Sequence, residues 1–353
     1  MFIFSAIICD WCKDAIEAWR KLLKMAPDDL DAATSLGGAL LATEQYKEAV
    51  GELEPLVKAH PQSGTLLRLL GQAYLKTDQP DKGVAVLEKA VELDSAPLTM
   101  NDVAYYLAEK KLRLDQAERW AMKAIKTEEE KTGPINLADL ETSDLGRMQT
   151  LAAYWDTLGW VYFQRSDLSK AESYLKASWD LYQSPTVGDH LGQLYEQEGK
   201  LDAASHVYEM AMASGKAGEE LRHRYERLTE EHPRLAGKTE EKQTPRGTRT
   251  VKISGADELS RMRTIKLPRI TDTSATAEYF VLFSPGPKVA EVKYINGSPA
   301  LRDAGKALAS ALYPISFPEG SQAKLVRRGI LMCAPTSGCN FVLLTVDSVR
   351  SVN

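Results

Sequence analysis

The sequence predicts an all-α helical solenoid followed by a small α+β domain, an antiparallel sheet with one packed helix. Three observations carry this reading. Small residues recur at a fixed interval over the first two-thirds of the chain: Ala15, Ala49, Gly83 and Ala117 stand 34 apart, and Ala171 and Ala204 stand 33 apart. From about Thr248 that interval gives way to short alternating runs bounded by Pro and Gly, the mark of strands and turns. Charge divides at the same place. From Arg246 onward there are 15 Lys+Arg against 8 Asp+Glu, although the whole 353-residue chain carries a net charge of −5.

Composition is that of a chain with a sizeable core, 44% hydrophobic and 26% charged. No apolar run approaches the roughly 20 residues of a membrane-spanning helix. An acidic first part and a basic last part can attract each other, and the basic part can also meet an anionic surface. Solvated faces of two domains are the plainer reading. The opening "MFIFSAIICDW" has no positive n-region and no small-residue cleavage site, so it reads as no competent export signal.

The repeat has internal detail. Leu-Gly pairs precede most small markers by 12 residues: Leu36-Gly37, Leu70-Gly71, Leu158-Gly159 and Leu191-Gly192. An aromatic follows the glycine by three in Tyr74, Tyr162 and Tyr195. Large residues follow the small marker by four: Trp19, Leu53, Leu87, Leu175 and Tyr208. Pro27 and Pro61 close the first two units. These residues resemble the tetratricopeptide repeat, a 34-residue pair of antiparallel helices, and "WDTLGWVYFQRSDLSKAESYL" (155–175) lies close to its consensus. The resemblance implies a solenoid over residues 1–231 with about six units. The first is incomplete, which suggests a chain start inside a longer array.

Two departures stand out. The fourth unit has Ala104 in place of the glycine and one extra residue in its turn, so its helix pairing should be distorted. Between Ala117 and Ala171 lies an acidic insertion (127–148) with Gly133-Pro134, expected as lengthened helix ends and a loop. Residues 218–231 carry Leu221, Tyr225 and Leu228 at helical spacing and read as a capping helix. Residues 232–248 are polar with two prolines and read as a linker.

Residues 249–353 read as hairpin, helix, hairpin. "AEYFVLFS" (277–284) and "VAEVKYI" (289–295) flank Pro285-Gly286-Pro287, and on the second strand Ala290, Val292 and Tyr294 alternate with Glu291 and Lys293. "PALRDAGKALASAL" (299–312) reads as one helix, with Ser298 as N-cap and Leu301, Ala304, Leu308, Ala311 and Leu312 on one face. "AKLVRRGILMC" (323–333) and "CNFVLLTV" (339–346) form the second hairpin, with further strands in "RTVKIS" and "RTIKLPRI". Residues 284–318 resemble the carboxy-terminal domain of TonB-like energy-transducing proteins. The fold carries over; the energy coupling does not, since neither anchor nor proline-rich spacer is here. The combination also resembles the tail of bacterial envelope proteins in which a transglutaminase-like region precedes tetratricopeptide repeats.

Catalytic constellations are not found. Ser-x-x-Lys occurs at Ser173–Lys176 and Ser321–Lys324, and Lys131-Thr132-Gly133 imitates a third β-lactamase element, but no Ser-Asp-Asn accompanies them. All five histidines (His60, His190, His206, His223, His232) precede the last domain, so Cys333 and Cys339 have no local base. Arg327 and Arg328, neighbours on a strand, point to opposite faces. Cys12 falls at a packing position of the repeat register, equivalent to Tyr46, Pro80, Leu114, Leu168 and Leu201, which weighs against a redox role for "CDWC". Cys333 and Cys339 end one strand and start the next. Two readings stay open: a disulfide across the hairpin if the protein is exported, or two free thiols in the cytoplasm. The compartment is left open with them, the cell envelope being favoured for a fragment of an exported protein.

A binding surface remains. In tetratricopeptide proteins ligands lie along the concave face made by the first helix of each unit. Register transfer places Arg68, Gln72, Asn101, Tyr105, Asp156, Trp160, Asp189 and Gln193 there. Trp160, with Phe163 beside it, is either an anchor for a peptide or packing against the next unit. The clamp of chaperone-binding members is absent, since Thr34, Gly38, Arg68 and Gln72 occupy its places. The expectation is a non-catalytic scaffold that binds a protein or peptide, with no metal, cofactor or nucleic acid. The alternative is an accessory part of an envelope enzyme whose catalytic region lies outside this chain. A third reading makes the last domain an anion or cell-wall binder.

Overall fold

The computed structural model describes residues 10–236, 239–244, 247–252, 254–286 and 288–347. Residues 1–9, with the opening apolar stretch and Cys9, lie outside the described residues; Cys12 lies in a helix, and its side chain is not among those described. The chain divides into two compact units, residues 1–124 and 125–353.

The first unit is a stack of helix pairs: α1 (Asp10–Met25), α2 (Leu30–Ala42), α3 (Tyr46–Ala59), α4 (Gly64–Lys76), α5 (Pro80–Leu93), α6 (Pro97–Glu109) and the start of α7 (Leu114–Thr132). The 34-residue interval sets the helix starts: second helices begin at Tyr46, Pro80 and Leu114, the positions equivalent to Cys12. Asp29 and Ser63 cap α2 and α4 by accepting from the backbone N–H of Ala32 and Leu66. The marker glycines let paired helices approach. A Cβ on Gly37 would lie 2.6 Å from Leu53, and one on Gly71 2.5 Å from Leu87. The fourth unit places two fully buried alanines, Ala104 and Ala121, where the others have a glycine and a large residue. Between the helices of each pair the chain reverses through a left-handed residue seven after the marker: Glu44 (φ 59°), Asp78 (φ 58°) and Lys111 (φ 54°). The extra residue of the fourth turn is absorbed by a second left-handed position, Arg113 (φ 46°). Arg20 ties α1 to α3 through Glu48 and Glu52 at 2.5 and 3.0 Å.

The second unit continues the repeat with the last turns of α7, then α8 (Thr142–Gln164), α9 (Leu168–Leu181), α10 (Pro185–Gln197), α11 (Leu201–Ser214) and α12 (Glu219–Glu231). The insertion takes the expected form: α7 and α8 run to 19 and 23 residues against 13 to 14 for their neighbours α6 and α9. The loop between them buries Ile135, Leu137 and Leu140. A Cβ on Gly159 would lie 2.7 Å from Leu175, and one on Gly192 would overlap the Tyr208 ring. Ser166 (φ 63°) and Gly199 (φ 73°) occupy the same left-handed turn position. Helix α12 closes the array with Leu221 and Leu228 buried.

Where a linker was expected, residues 239–252 pair as two antiparallel strands, β1 (Thr239–Thr244) and β2 (Gly247–Lys252). Helix α13 (Gly255–Arg263) then packs on α11, with His206 Nδ1 2.5 Å from Glu258. The main sheet has five antiparallel strands in the order β3-β7-β6-β4-β5, from β3 (Thr264–Leu267), β4 (Ala275–Ser284), β5 (Lys288–Gly297), β6 (Leu325–Ala334) and β7 (Gly338–Leu343). One face of β4, β6 and β7 is a continuous core: Tyr279, Val281, Phe283, Leu325, Leu331, Phe341 and Leu343.

Two expectations are corrected here. Residues 299–312 are not one helix but a 3-10 turn (Pro299–Leu301) and a short α14 (Gly305–Ala309). Ser298 makes no side-chain cap, and the turn after α14 tightens, the Ala311 N–H donating to the Leu308 carbonyl three residues back, ahead of Pro314, which has no N–H to donate. Leu301, Ala304 and Leu308 are buried, whereas Leu312 is 92% exposed. The alternation on β5 is also broken. Leu282 pairs with Glu291 and Phe283 with Val289, which leaves Ala290 as a bulge residue, exposed beside half-buried Val292 and Tyr294.

The sheet is bolted to the helices of its own unit. Arg327, 2% exposed, donates to the Leu181 carbonyl (3.1 Å) at the end of α9 and to Leu344 (2.9 Å). A cation at a helix carboxy-terminus meets the negative end of the dipole. Burial, with Arg263 nearby, lowers its pKa to about 10, and Asp180 opposes that shift. The insertion loop meets β5: Glu291 accepts from the Leu137 N–H (2.9 Å) and Lys293 donates to its carbonyl (2.6 Å). Arg328, on the opposite face from Arg327, pairs with Glu278.

Candidate functional site

The first-helix positions selected by register transfer form an inter-repeat ladder. In the first unit Arg68 of α4 pairs with Asp102 of α6 at 2.9 Å and reaches the Tyr106 hydroxyl at 3.4 Å. Burial raises the Asp102 pKa, with Arg68 opposing, and raises that of Tyr106 well above the usual phenol value. In the second unit Asp156 of α8 meets His190 Nδ1 of α10 at 2.9 Å, and Asp189 of α10 meets Arg224 of α12 at 3.1 Å. Two of the rungs join the fifth residue of one first helix to the sixth of the next; in the Asp156–His190 rung the lengthened α8 supplies its fifteenth residue instead. Register transfer found one end of every rung. Asp102, His190 and Arg224 escaped it, although their spacing of 34 or 35 residues from the partner was there to be read.

Burial corrects three of the selected residues. Asn101, Asp156 and Trp160 are 3%, 5% and 5% exposed and are not displayed to solvent. Trp160 is stacked between Phe163 (centroids 4.8 Å) and His190 of the next repeat (4.1 Å), which is the packing alternative. Gln72 and Tyr105 in the first unit, and Asp189 and Gln193 in the second, remain partly exposed. Gln193 donates to Asp189 at 3.2 Å, and Tyr105 meets Tyr106 edge to face. A Cβ on Gly38 would meet nothing within 4 Å, so the face is open there.

The other chemistry-bearing residues take structural places. Cys333 and Cys339 are cross-strand partners joined by a disulfide. The Ser-x-x-Lys residues serve packing inside the second unit: Ser321 donates to Glu129, Lys324 Nζ to the Ile135 carbonyl, and Lys176 pairs with Asp180. Among the described residues no group of His, Cys, Asp and Glu is disposed to hold a metal ion, and no helix is long and apolar enough to cross a membrane.

A family profile described as anaphase-promoting complex, cyclosome, subunit 3 matches residues 11–90. No curated protein matches the chain. Among solved structures, pilF of Pseudomonas aeruginosa is 20% identical, covering 58% of this chain and 86% of its own, with a TM-score of 0.42. A thermophilic TPR protein of Thermus thermophilus is 20% identical, with coverages of 56% and 97% and a TM-score of 0.41. Yeast Tom70 is 16% identical, with coverages of 63% and 45% and a TM-score of 0.42. Helix pairs that repeat every 33 or 34 residues outside the insertion, marker glycines against large residues 16 positions on, and a shared left-handed turn position make the helical part of the chain similar in architecture to tetratricopeptide repeats.

Proposed function

We propose that this chain is a non-catalytic scaffold whose first-helix faces hold an extended peptide or protein segment. The observation that supports it most is the chemistry of the residues beside the ladder. The ionised groups at these positions are paired between repeats, and the partly exposed residues beside them, Gln72, Tyr105 and Gln193, carry amide and phenol groups that donate as well as accept. Such groups suit main-chain amides better than a charged terminus. Fluorescence titration of a labelled peptide library against the full chain tests this. Gln72→Ala with Tyr105→Ala, or Gln193→Ala, should weaken the best peptide at least tenfold; unchanged affinity in all of these variants would remove the assignment.

The two hairpins flanking a short helix support the likeness of residues 249–353 to TonB-type carboxy-terminal domains, taken as a fold alone. The change of sequence period near Thr248 supports treating residues 1–231 and 249–353 as separate sequence blocks. The reading as an accessory part of an envelope enzyme draws on Cys333–Cys339, because disulfides persist in oxidising compartments. Thiol alkylation in intact cells decides it: protected cysteines favour the envelope, and labelling of both excludes it.

A further inference from the structure

The connection from α14 to β6, residues 311–324, exceeds the usual length of about 4–6 residues and has no regular structure of its own. It crosses helices α7, α8 and α9 of its unit. Ser316 donates to Asp180 of α9 (2.6 Å), and Phe317 meets Trp155 of α8 edge to face at 6.4 Å. Main-chain N–H groups are then read in turn by helix side chains: Glu319 by Ser173 of α9 (3.4 Å), Gln322 by Glu129 of α7 (3.1 Å) and Lys324 by Thr132 of α7 (3.0 Å). The Ser321 hydroxyl donates to the other Glu129 oxygen at 2.6 Å. A tight turn, Ser321 N–H to the Pro318 carbonyl with Gly320 at φ 77°, sets the spacing of Phe317 and Ser321.

An ordinary domain contact packs side chain on side chain. Here carboxylate and hydroxyl acceptors on two second helices read a backbone, and one aromatic anchors it, which is how a groove recognises an extended peptide. We propose that the α7–α8–α9 face is a second peptide site, occupied in cis by residues 316–324. Its external occupant is an extended peptide with an aromatic-proline pair, a glycine turn and a serine four residues after the aromatic. Fully buried Leu308 and Leu325 anchor the flanks of the strap, and Ile315 and Ala323 are buried along it. Tethering gives the strap an effective concentration on the order of millimolar, a threshold that an outside peptide must exceed. This inference is independent of the first-helix reading, which uses other residues.

The test is a fluorescein-labelled peptide of residues 313–326, titrated into the full chain by anisotropy. Phe317→Ala with Ser321→Ala, which loosens the strap, should bind it at least tenfold more tightly than the parent chain, and adding Glu129→Gln should abolish that gain. Absence of binding to a loosened chain with parental circular dichroism and Tm overturns the proposal. Hydrogen exchange on the parent chain covers the case in which the double variant does not fold. Millimolar peptide should speed exchange at Gln322 and Lys324 and leave the β6 amides unchanged; no change at those two positions refutes it equally.

Discussion

Gly192 and Gly38 show how one residue type serves two ends at neighbouring positions of a repeat. Gly192 faces the Tyr208 ring at a helix crossing, whereas Gly38 faces open space one residue after the marker Gly37. Gly192→Ala should therefore cost about 2–3 kcal/mol through overpacking, and Gly38→Ala should add about 0.5–1 kcal/mol of stability through helix propensity. Urea denaturation of both variants checks the opposite signs. His190 gives a third residue-scale expectation. His190→Ala removes the Trp160 stack and leaves buried Asp156 unpaired, a loss of about 3 kcal/mol; a loss under about 1 kcal/mol in the same measurement would contradict the ladder. The marker glycines were legible because their spacing is periodic. The burial of Trp160 was not, because register tells which side of a helix a residue occupies, and only packing tells how near the next repeat comes.

At the scale of elements, the turns are the most regular feature and the least visible in sequence. Glu44, Asp78, Lys111 and Ser166 range from carboxylate to amine to hydroxyl, yet all adopt left-handed backbone seven residues after the marker. A left-handed non-glycine residue costs about 1–2 kcal/mol, so Asp78→Gly should raise the urea midpoint, less the entropy glycine adds to the unfolded chain. A lowered midpoint would show that the Asp78 side chain supports the turn. The helix expected over 299–312 failed for a local reason. Its apolar spacing was right for Leu301, Ala304 and Leu308, but the last turn tightens to a three-residue bond at Ala311, and Pro314 disfavours helix at the residue before it. The insertion lies between helices of 19 and 23 residues, α7 and α8. That its loop meets β5 through Glu291 and Lys293 depended on tertiary placement, which spacing does not encode.

At the scale of the molecule, three cations of the basic last part bind backbone. Arg327, Lys293 and Lys324 each donate to main-chain carbonyls of the helices or the insertion loop in the same unit. Tyrosines set the alkaline limit. Burial holds Tyr74, Tyr195 and Tyr279 at about 12, with Glu54 adding to the effect at Tyr74 and Glu172 at Tyr195. The unfolded phenol titrates near 10. The folded state thus keeps protons that the unfolded state releases, so stability is fully present below about pH 10 and falls as pH rises through about 12. The urea midpoint should be lower at about pH 11 than at about pH 9; an equal midpoint would show that these phenols are not shielded. The central claim, that the first-helix faces hold a peptide, is tested most directly by site-specific photo-crosslinking. A benzophenone side chain at Gln72 or Gln193 in the full chain, irradiated with the best library peptide and read by mass spectrometry, should give crosslinks well above those from the same group at Lys89, an exposed position on second helix α5. Equal yields at all three positions would contradict it.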